Sequence, residues 1–514
     1  METKATGTIA VGRLLKNAAI RYREKEALYC ATSGRRFSFL QINERTNRLA
    51  NGLVGLGLKK SDMVAILTTN RFEIVEYYFA IAKTGLVGLP LNYRLIAKEI
   101  VQMIQLTDTK VLIFEDTFTE VAKQVREQLP TVKTFIGIGK KIPEFAWEYE
   151  NFISNSYPDE PNVEIQEEDD YYMNLTSGTT GLPKSYMLTH YNNAAAIIDV
   201  TTIFKVTEDD VVMIVFPMFG RVGFAWTGAA IYSGAKQVIV NFEPKKVLEI
   251  IQSEKVTISN LVPTMAHLIL SFPGFDKFDL SSLRALVFAG APFPIPLQEQ
   301  VRKRICPNIY EYYGLQETAI LTYASINDKI KKSASVGKVS PWAEVRIVDT
   351  SGKDVPMGTI GEIIAKSLGG TSSYYKDEEK TKETFKNGWC HTGDLGYLDE
   401  EGYVYISGRI KDMIVTGGQN VFSAEVENVL MAHPAVADCA VIGLPDEKWG
   451  EAVTAVIVKK PGAEVTEDEI IAFCKKEMAG FKVPKKVIWS EAPLPRTPTG
   501  KVTKYVLVEK YSKQ

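Results

Sequence analysis

The sequence predicts an α/β fold: a large N-terminal domain of α/β subdomains with mostly parallel sheets, followed by a small C-terminal α+β domain. Three observations point there. Short apolar runs of strand length alternate with longer runs of helical spacing. The apolar runs end repeatedly at glycine-rich loops, as strands do at the carboxyl edge of an open parallel sheet. Near residue 408 the texture changes, and a shorter unit begins.

In chain order, Val11, Leu14, Leu15, Ala18 and Tyr22 recur at helical spacing and predict an amphipathic surface helix. Residues 63–70 read as a buried strand, 75–85 as a helix stopped by Gly85, and 110–115 as another strand. The acidic run 167–170 precedes a strand at 171–175. Segments 211–217, 237–242 and 283–292 repeat the pattern of a β-rich run ending in a loop. Past residue 408 come a Gly417-Gly418 turn, a helix at 423–433, and strands at 437–445 and 451–460. Thr466 and Glu469 have capping-box spacing and start one more helix. The domains are therefore read as 1–410 and 411–514, without internal repeats or low-complexity stretches.

Size and composition narrow the classes. The 514 residues suffice for two or more domains, and 45% hydrophobic with 24% charged residues is ordinary for a soluble protein. A net charge of -2 gives no bulk attraction to nucleic acid or an anionic membrane. Five scattered cysteines without a CxxC pair argue against a disulfide framework or a zinc site, and four histidines argue against a His-rich metal centre. Glu2, Glu24 and Glu26 with no long apolar run argue against a secretory signal, and no stretch approaches the roughly 20 apolar residues of a membrane span. The expected location is the cytoplasm. Monomer and homodimer stay open.

The densest chemical signal is Thr176-Ser177-Gly178-Thr179-Thr180-Gly181-Leu182-Pro183-Lys184, directly after a strand. Glycines let backbone N–H groups close around an anion, and the hydroxyls and lysine add donors and charge. Its spacing, G-x-x-G-x-x-K, is not that of the common P-loop. The bland alternative is a polar turn.

This string resembles the phosphate loop of the adenylate-forming superfamily: acyl-CoA synthetases, amino-acid adenylation domains and beetle luciferases. Four further segments resemble that family's motifs in order. They are Tyr312-Tyr313-Gly314-Leu315-Gln316-Glu317-Thr318 (Y-G-x-T-E), His391-Thr392-Gly393-Asp394 (T-G-D), Gly408-Arg409-Ile410-Lys411-Asp412 (G-R-x-K-D) and Pro495-Arg496-Thr497-Pro498-Thr499-Gly500-Lys501 (P-x-T-x-x-G-K). The resemblance covers nearly the whole chain.

It implies activation of a carboxylic acid with ATP to acyl-AMP, then acyl transfer to a thiol, with ATP/AMP, Mg²⁺ and coenzyme A as cofactors. Asp394 and Arg409 would bind the ribose. Glu317, with Thr176 beside the phosphates, would hold Mg²⁺, a hard cation that prefers oxygen ligands. Tyr313 would stack on adenine, with Gly290, Ala291 and Pro292 as the opposite wall and Glu311, Tyr312, Gly314 and Gln316 nearby. Lys184 and Lys501 would stabilise the charge that develops as two anions meet. Lys411 would be the hinge on which a mobile C-terminal domain turns, and Gly417 and Gly418 would line a channel for the thiol. Phe219, Gly220, Arg221, Gly223, Phe224, Phe288, Ala289 and Leu315 would line the acyl pocket, whose apolar character suits a medium-sized, uncharged fatty or cyclic acid.

Three departures from the family pattern stand out. Ser185 and Tyr186 follow the loop lysine where Gly and a small aliphatic residue are usual. Gln316 replaces a threonine that would donate to the α-phosphate. Gly220 occupies a position where many acyl-CoA synthetases carry histidine, and Arg221 beside it could contact the substrate or a CoA phosphate. A carrier-protein-like string, Leu368-Gly369-Gly370-Thr371-Ser372, lies between two adenylation motifs rather than after them, which argues against a carrier domain. The competing readings are a stand-alone amino-acid or aryl-acid adenylating enzyme that loads a carrier protein, and a non-catalytic nucleotide-binding protein.

Overall fold

The computed structural model describes residues 8–176, 184–496 and 502–512. Among these, the strand Met63–Leu67 shows why the parallel sheets form. All five of its residues are buried, and successive side chains enter different cores: Val64 and Ile66 one, Ala65 and Leu67 another. A strand covered on both faces can be continuously apolar, as these runs are.

Four sheets are present among the described residues. The first has nine strands, in the order Lys338–Val339, Ala319–Ala324, Ile309–Leu315, Ala285–Phe288, Ile258–Leu261, Val211–Ile214, Lys236–Ile239, Glu26–Cys30 and Arg36–Ser38. The second has seven: Trp147–Glu148, Thr134–Ile138, Val111–Glu115, Met63–Leu67, Val87–Pro90, Asp170–Thr176 and Lys184–Thr189. Pairing in the middle of both is parallel; antiparallel pairs appear at their edges.

Helices Gly12–Tyr22, Phe39–Gly55, Phe72–Thr84, His190–Ile203 and Arg221–Ser233 contribute to a single core that includes residues from both sheets. The helix Phe72–Thr84 is buried along its entire length and ends at Gly85, whose φ of 68° terminates it in the left-handed region. The first helix is an amphipathic surface helix as expected, with Leu15, Ala18 and Ala19 buried and Arg13, Lys16 and Asn17 exposed. Each large side chain fully buried in these cores contributes roughly 1.5–3 kcal/mol.

The third sheet is wholly antiparallel and was not separated from the others in the sequence. It comprises Ala343–Val348, Gly361–Ser367, Trp389–Leu398, Phe385–Lys386 and Val404–Arg409. After a helical turn at Ile410–Asp412, the chain enters the fourth sheet: Gln419–Phe422, Met413–Thr416, Gly450–Lys459, Val436–Asp446 and Lys486–Trp489. Thr466 and Glu469 form the expected capping box on Glu467–Glu477. No helix among the described residues is long and apolar enough to cross a membrane.

Candidate active site

The glycine- and hydroxyl-rich string begins and ends on paired strands. Its first and last residues, Thr176 and Lys184, are cross-strand partners in an antiparallel pair. Ser177, Gly178, Thr179, Thr180 and Gly181 lie outside the described residues, but the pairing fixes where the loop leaves and re-enters the sheet. Lys184 Nζ stands 3.4 Å from the Tyr374 hydroxyl and 4.6 Å from its ring centroid. The same hydroxyl donates to Glu317 Oε1 at 2.8 Å. Lys184 and Glu317, 133 residues apart in numbering, are thus bridged by a tyrosine the sequence reading did not single out.

Glu317 sits in the tight turn joining Ile309–Leu315 to Ala319–Ala324, where Leu315 N–H donates to Thr318 Oγ1 at 3.1 Å. The turn needs Gly314: a Cβ there would fall 1.8 Å from the Ala319 carbonyl oxygen, and Ala319 itself has φ of 60°. Gln316 is held from three sides. Its main-chain carbonyl accepts from Tyr186 Oη and Arg221 Nη1, both at 2.7 Å, and its Oε1 accepts from Asn174 Nδ2 at 2.8 Å. Two of the departures, Tyr186 and Gln316, therefore meet, and Arg221, the neighbour of the third, joins them.

A second group forms in the antiparallel sheet. Asp394 and Arg409 are opposite each other across adjacent strands, and Arg409 Nε donates to Asp394 Oδ1 at 2.9 Å. Tyr313 Oη donates to Asp394 Oδ2 at 2.8 Å, and its ring is buried with Leu321, Ile363 and Val404. The two groups share a field. Burial and the carboxylates of Glu317, Glu362 and Asp394 push the Cys390 thiol up to about 12, with Lys184 opposing; such a thiol is inert. Lys411, on the exposed turn after Arg409, has its pKa lowered by loss of water and by Arg409 and Lys184.

Not every expected residue joins these groups. Glu311 points into a buried ion pair with Lys329 at 2.5 Å instead of toward a nucleotide. Tyr312, on the opposite face of its strand from Tyr313, stands 5.8 Å from the Phe204 ring. Gly290, Ala291 and Pro292 leave the sheet beside the strand carrying Tyr313, since Phe288 pairs with Glu311, and Gly290 has φ of 83°. Gly417 and Gly418 form a hairpin turn, where the Gly417 N–H donates to Trp449 O at 2.7 Å and the half-exposed Trp449 ring lies against it. Trp449 had no motif to mark it. Lys501 lies outside the described residues; its neighbours Arg496 and Val502 are bridged, and Arg496 binds Asp438 at 2.6 Å.

The acyl-pocket assignments need correction. Phe224 stacks on Tyr172 and meets Tyr78 edge-on, and Phe288 stacks on Phe293 at 4.1 Å; both are core residues with 1% or less of their surface exposed. Gly223 is required by close packing, because a Cβ there would lie 2.6 Å from Met218 Cα. Arg221 is buried, with Nη1 and Nη2 turned onto main-chain carbonyls and Nε without a hydrogen-bond partner among the described residues. Ala289 is buried and Leu315 half-buried. Phe219 and Gly220 keep partial exposure; Phe219 meets Tyr93 edge-on at 5.4 Å, and Tyr172 Oη holds its carbonyl at 3.0 Å.

The donor set fits Mg²⁺. No cluster of three or more His, Cys, Asp or Glu stands among the described residues, so Glu317 would act with phosphate oxygens and water, the usual arrangement for a metal that dehydrates reluctantly.

The chain is similar to known proteins along its length. The family model described as AMP-binding enzyme matches residues 15–375, and that of the AMP-binding enzyme C-terminal domain matches 425–501. The long-chain-fatty-acid–CoA ligase FadD13 of Mycobacterium tuberculosis is 33% identical over 98% of both chains. Among solved structures, ATP-bound MatB from Rhodopseudomonas palustris superposes with a TM-score of 0.90 at 29% identity, covering 98% of this chain and 99% of that one. The anthranilate CoA ligase AuaEII, in complex with anthranoyl-AMP, gives 0.91 at 28% identity, covering 99% and 98%. With two family models matched in order and a relative aligned along almost its whole length, this chain belongs to the AMP-binding enzyme family.

Proposed function

We propose that this enzyme activates a medium-sized, uncharged carboxylic acid, fatty or cyclic, and delivers the acyl group to coenzyme A. In the first step a carboxylate oxygen attacks the α-phosphorus of ATP, the bond to the bridging β-oxygen breaks, and pyrophosphate leaves. In the second the thiol sulfur attacks the acyl carbon and AMP leaves with its bonding pair. One high-energy bond is exchanged for another, so excess pyrophosphate, AMP and acyl-CoA would run the sequence backward.

The observation that carries this reading is the Lys184–Tyr374–Glu317 bridge at the strand end where the glycine-rich string re-enters the sheet. A cation and a metal-competent carboxylate side by side there support a polyphosphate site. Bringing two anions to about 4 Å costs about 4 kcal/mol at an effective dielectric of 20, so cations here lower the barrier directly. Lys184 supplies one and Lys501 would bring the other. Asp394 and Arg409 suit the ribose hydroxyls as acceptor and donor, with Tyr313 beside them. With its Oε1 tied to Asn174, Gln316 keeps its Nε2 hydrogens for the α-phosphate, replacing the family's hydroxyl.

Substrate class rests on Phe219, Gly220 and Arg221. The exposed edge is apolar, and the buried Arg221 has both terminal nitrogens engaged by the Gln316 and Gly369 carbonyls. Residues 1–410 would hold ATP and the acid; residues 411–514 would turn about Lys411 between the two steps, presenting first Lys501 and then the Gly417-Gly418 turn. The test is a panel of acids incubated with ATP and Mg²⁺, with and without CoA. AMP accumulating only when both acid and CoA are present supports the reading. Acid-dependent pyrophosphate exchange that CoA never carries forward points to a carrier-protein acceptor instead, and no exchange with any acid contradicts the adenylation itself.

A further inference from the structure

Arg221 is the first residue of the helix Arg221–Ser233, and only 4% of its surface is exposed. A cation there is unfavourable twice over. It sits at the positive end of the helix dipole, and burying a charge without a paired carboxylate costs several kcal/mol. Among the described residues no carboxylate lies within salt-bridge distance of it. Burial pulls its pKa down, while the charge on Glu317 opposes that shift. A group held at such cost is a functional-site candidate.

Its hydrogen bonds indicate the function it serves. Nη1 donates to the Gln316 carbonyl at 2.7 Å, and Nη2 donates to the Gly369 carbonyl. Gln316 precedes Glu317. Gly369 begins the segment 369–375, which ends in the tyrosine pair Tyr374-Tyr375. That segment is tied down throughout: Thr371 N–H donates to Glu317 O at 2.8 Å, Tyr374 Oη to Glu317 Oε1 at 2.8 Å, and Tyr375 N–H to Ser185 O at 2.7 Å. Close packing continues at Gly369, where a Cβ would lie 2.9 Å from Ala319 Cβ and 3.3 Å from Arg221 Nη2. The string that resembled a carrier-protein motif is therefore a strap across the Glu317 turn, and one guanidinium joins strap to turn.

We propose that Arg221 is a positioning residue that clamps the Gln316–Glu317 turn to the 369–375 strap and so fixes the Glu317 carboxylate for the metal–nucleotide complex. This rests on the reading of Glu317 as a metal ligand. Arg221 touches neither acid nor nucleotide in this role; it acts through the turn. Lysine carries its three N–H donors on a single nitrogen, so it holds one carbonyl well but not both, because only the guanidinium fork spans two separated acceptors in fixed geometry.

The test reads metal binding directly, apart from turnover. Mn²⁺ affinity in the presence of ATP is measured by electron paramagnetic resonance for the wild type and for Arg221→Met, Arg221→Lys and Glu317→Gln. Outer partners of a metal ligand typically contribute 10–100-fold in affinity, so Arg221→Met is expected to weaken Mn²⁺ binding about tenfold, with metal-free ATP affinity unchanged and Arg221→Lys in between. Loss at Glu317→Gln with none at a folded Arg221→Met overturns the clamp alone. No loss at Glu317→Gln overturns the metal-ligand reading, and the clamp with it. A raised KM for the acid with unchanged Mn²⁺ affinity in Arg221→Met assigns Arg221 to the acyl pocket and also overturns the proposal. If Arg221→Met does not fold, Gly369→Ala, which crowds the same contact from the strap side, carries the same comparison.

Discussion

At Gly220 the backbone is ordinary, with φ of -93°, and an added Cβ would meet only the Pro217 carbonyl oxygen at 3.5 Å. Glycine is therefore not demanded by strain or by crowding, and the space belongs to something other than the fold. Gly220→His is expected to lower kcat/KM for ring-bearing or branched acids by about 10–200-fold, the range of a lost pocket contact, while acetate and propionate change little. Equal losses for both classes would show that the position gates the thiol instead. Tyr186 and Gln316 make a second residue-scale case. They are departures 130 residues apart in the chain, and each alone looks like a weakened site. In space Tyr186 Oη holds the Gln316 main-chain carbonyl and also lies 3.4 Å from the Gln316 side-chain Oε1, and it is this second contact that links the two replacements. A double-mutant cycle on Tyr186→Phe and Gln316→Thr, read as unfolding free energy, is expected to give a coupling of about 1 kcal/mol; strict additivity contradicts the link. Such dependence is invisible in sequence, because nothing in either motif refers to the other. The same limit misassigned Phe224 and Phe288: apolar character does not separate a pocket wall from a core, and both proved to be core.

Among the elements, the helix His190–Ile203 carries an uncompensated charge. Asp199 is buried, its Oδ1 has no hydrogen-bond partner, and burial pushes its carboxyl up to about 7, with only Arg221 opposing. Because the folded value lies above the unfolded value near 3.9, folding favours the protonated form. Its contribution to stability is full below about pH 4, falls by roughly 1.4 kcal/mol per unit as pH rises toward 7, and is flat above. Asp199→Asn removes this dependence. The difference in Tm between the variant and the wild type should grow in favour of the variant from pH 4 to 7, and subtraction cancels Glu76, whose burial also lifts it to about 7. A difference independent of pH contradicts the assignment. Element positions were mostly legible: the helix stop at Gly85, the capping box at Thr466 and the strands at 63–67, 111–115 and 211–214 all follow from local patterns. The antiparallel third sheet was not, because its strands pair across turns whose partners no local period reveals. Yet its most useful fact, Asp394 opposite Arg409, joins two motifs the sequence had already marked.

Over the whole molecule, the change of sheet between Arg409 and Met413 falls at Lys411, where the proposed rotation would occur. Division of labour between two faces has a direct consequence. Lys501→Ala should suppress adenylate formation by orders of magnitude, yet leave thioester formation from supplied acyl-adenylate nearly intact, since Lys501 would serve only the first step; equal losses in both half-reactions would sink the two-face account. The large-scale organisation was legible because five motifs in order constrain a chain far more than any single loop. What escaped was the support beneath the site, Tyr374, the strap and Arg221, since those residues act through geometry rather than through a recognisable string. The central claim is the acyl-adenylate, and isotope transfer tests it most directly. An accepted acid labelled with ¹⁸O in both carboxylate oxygens is turned over with ATP and CoA, and the nucleotide product is analysed by mass spectrometry. The account predicts AMP carrying one labelled oxygen, because the attacking carboxylate oxygen stays on the α-phosphorus when the thiol displaces AMP. Unlabelled AMP, or label found in inorganic phosphate alongside ADP, would contradict it.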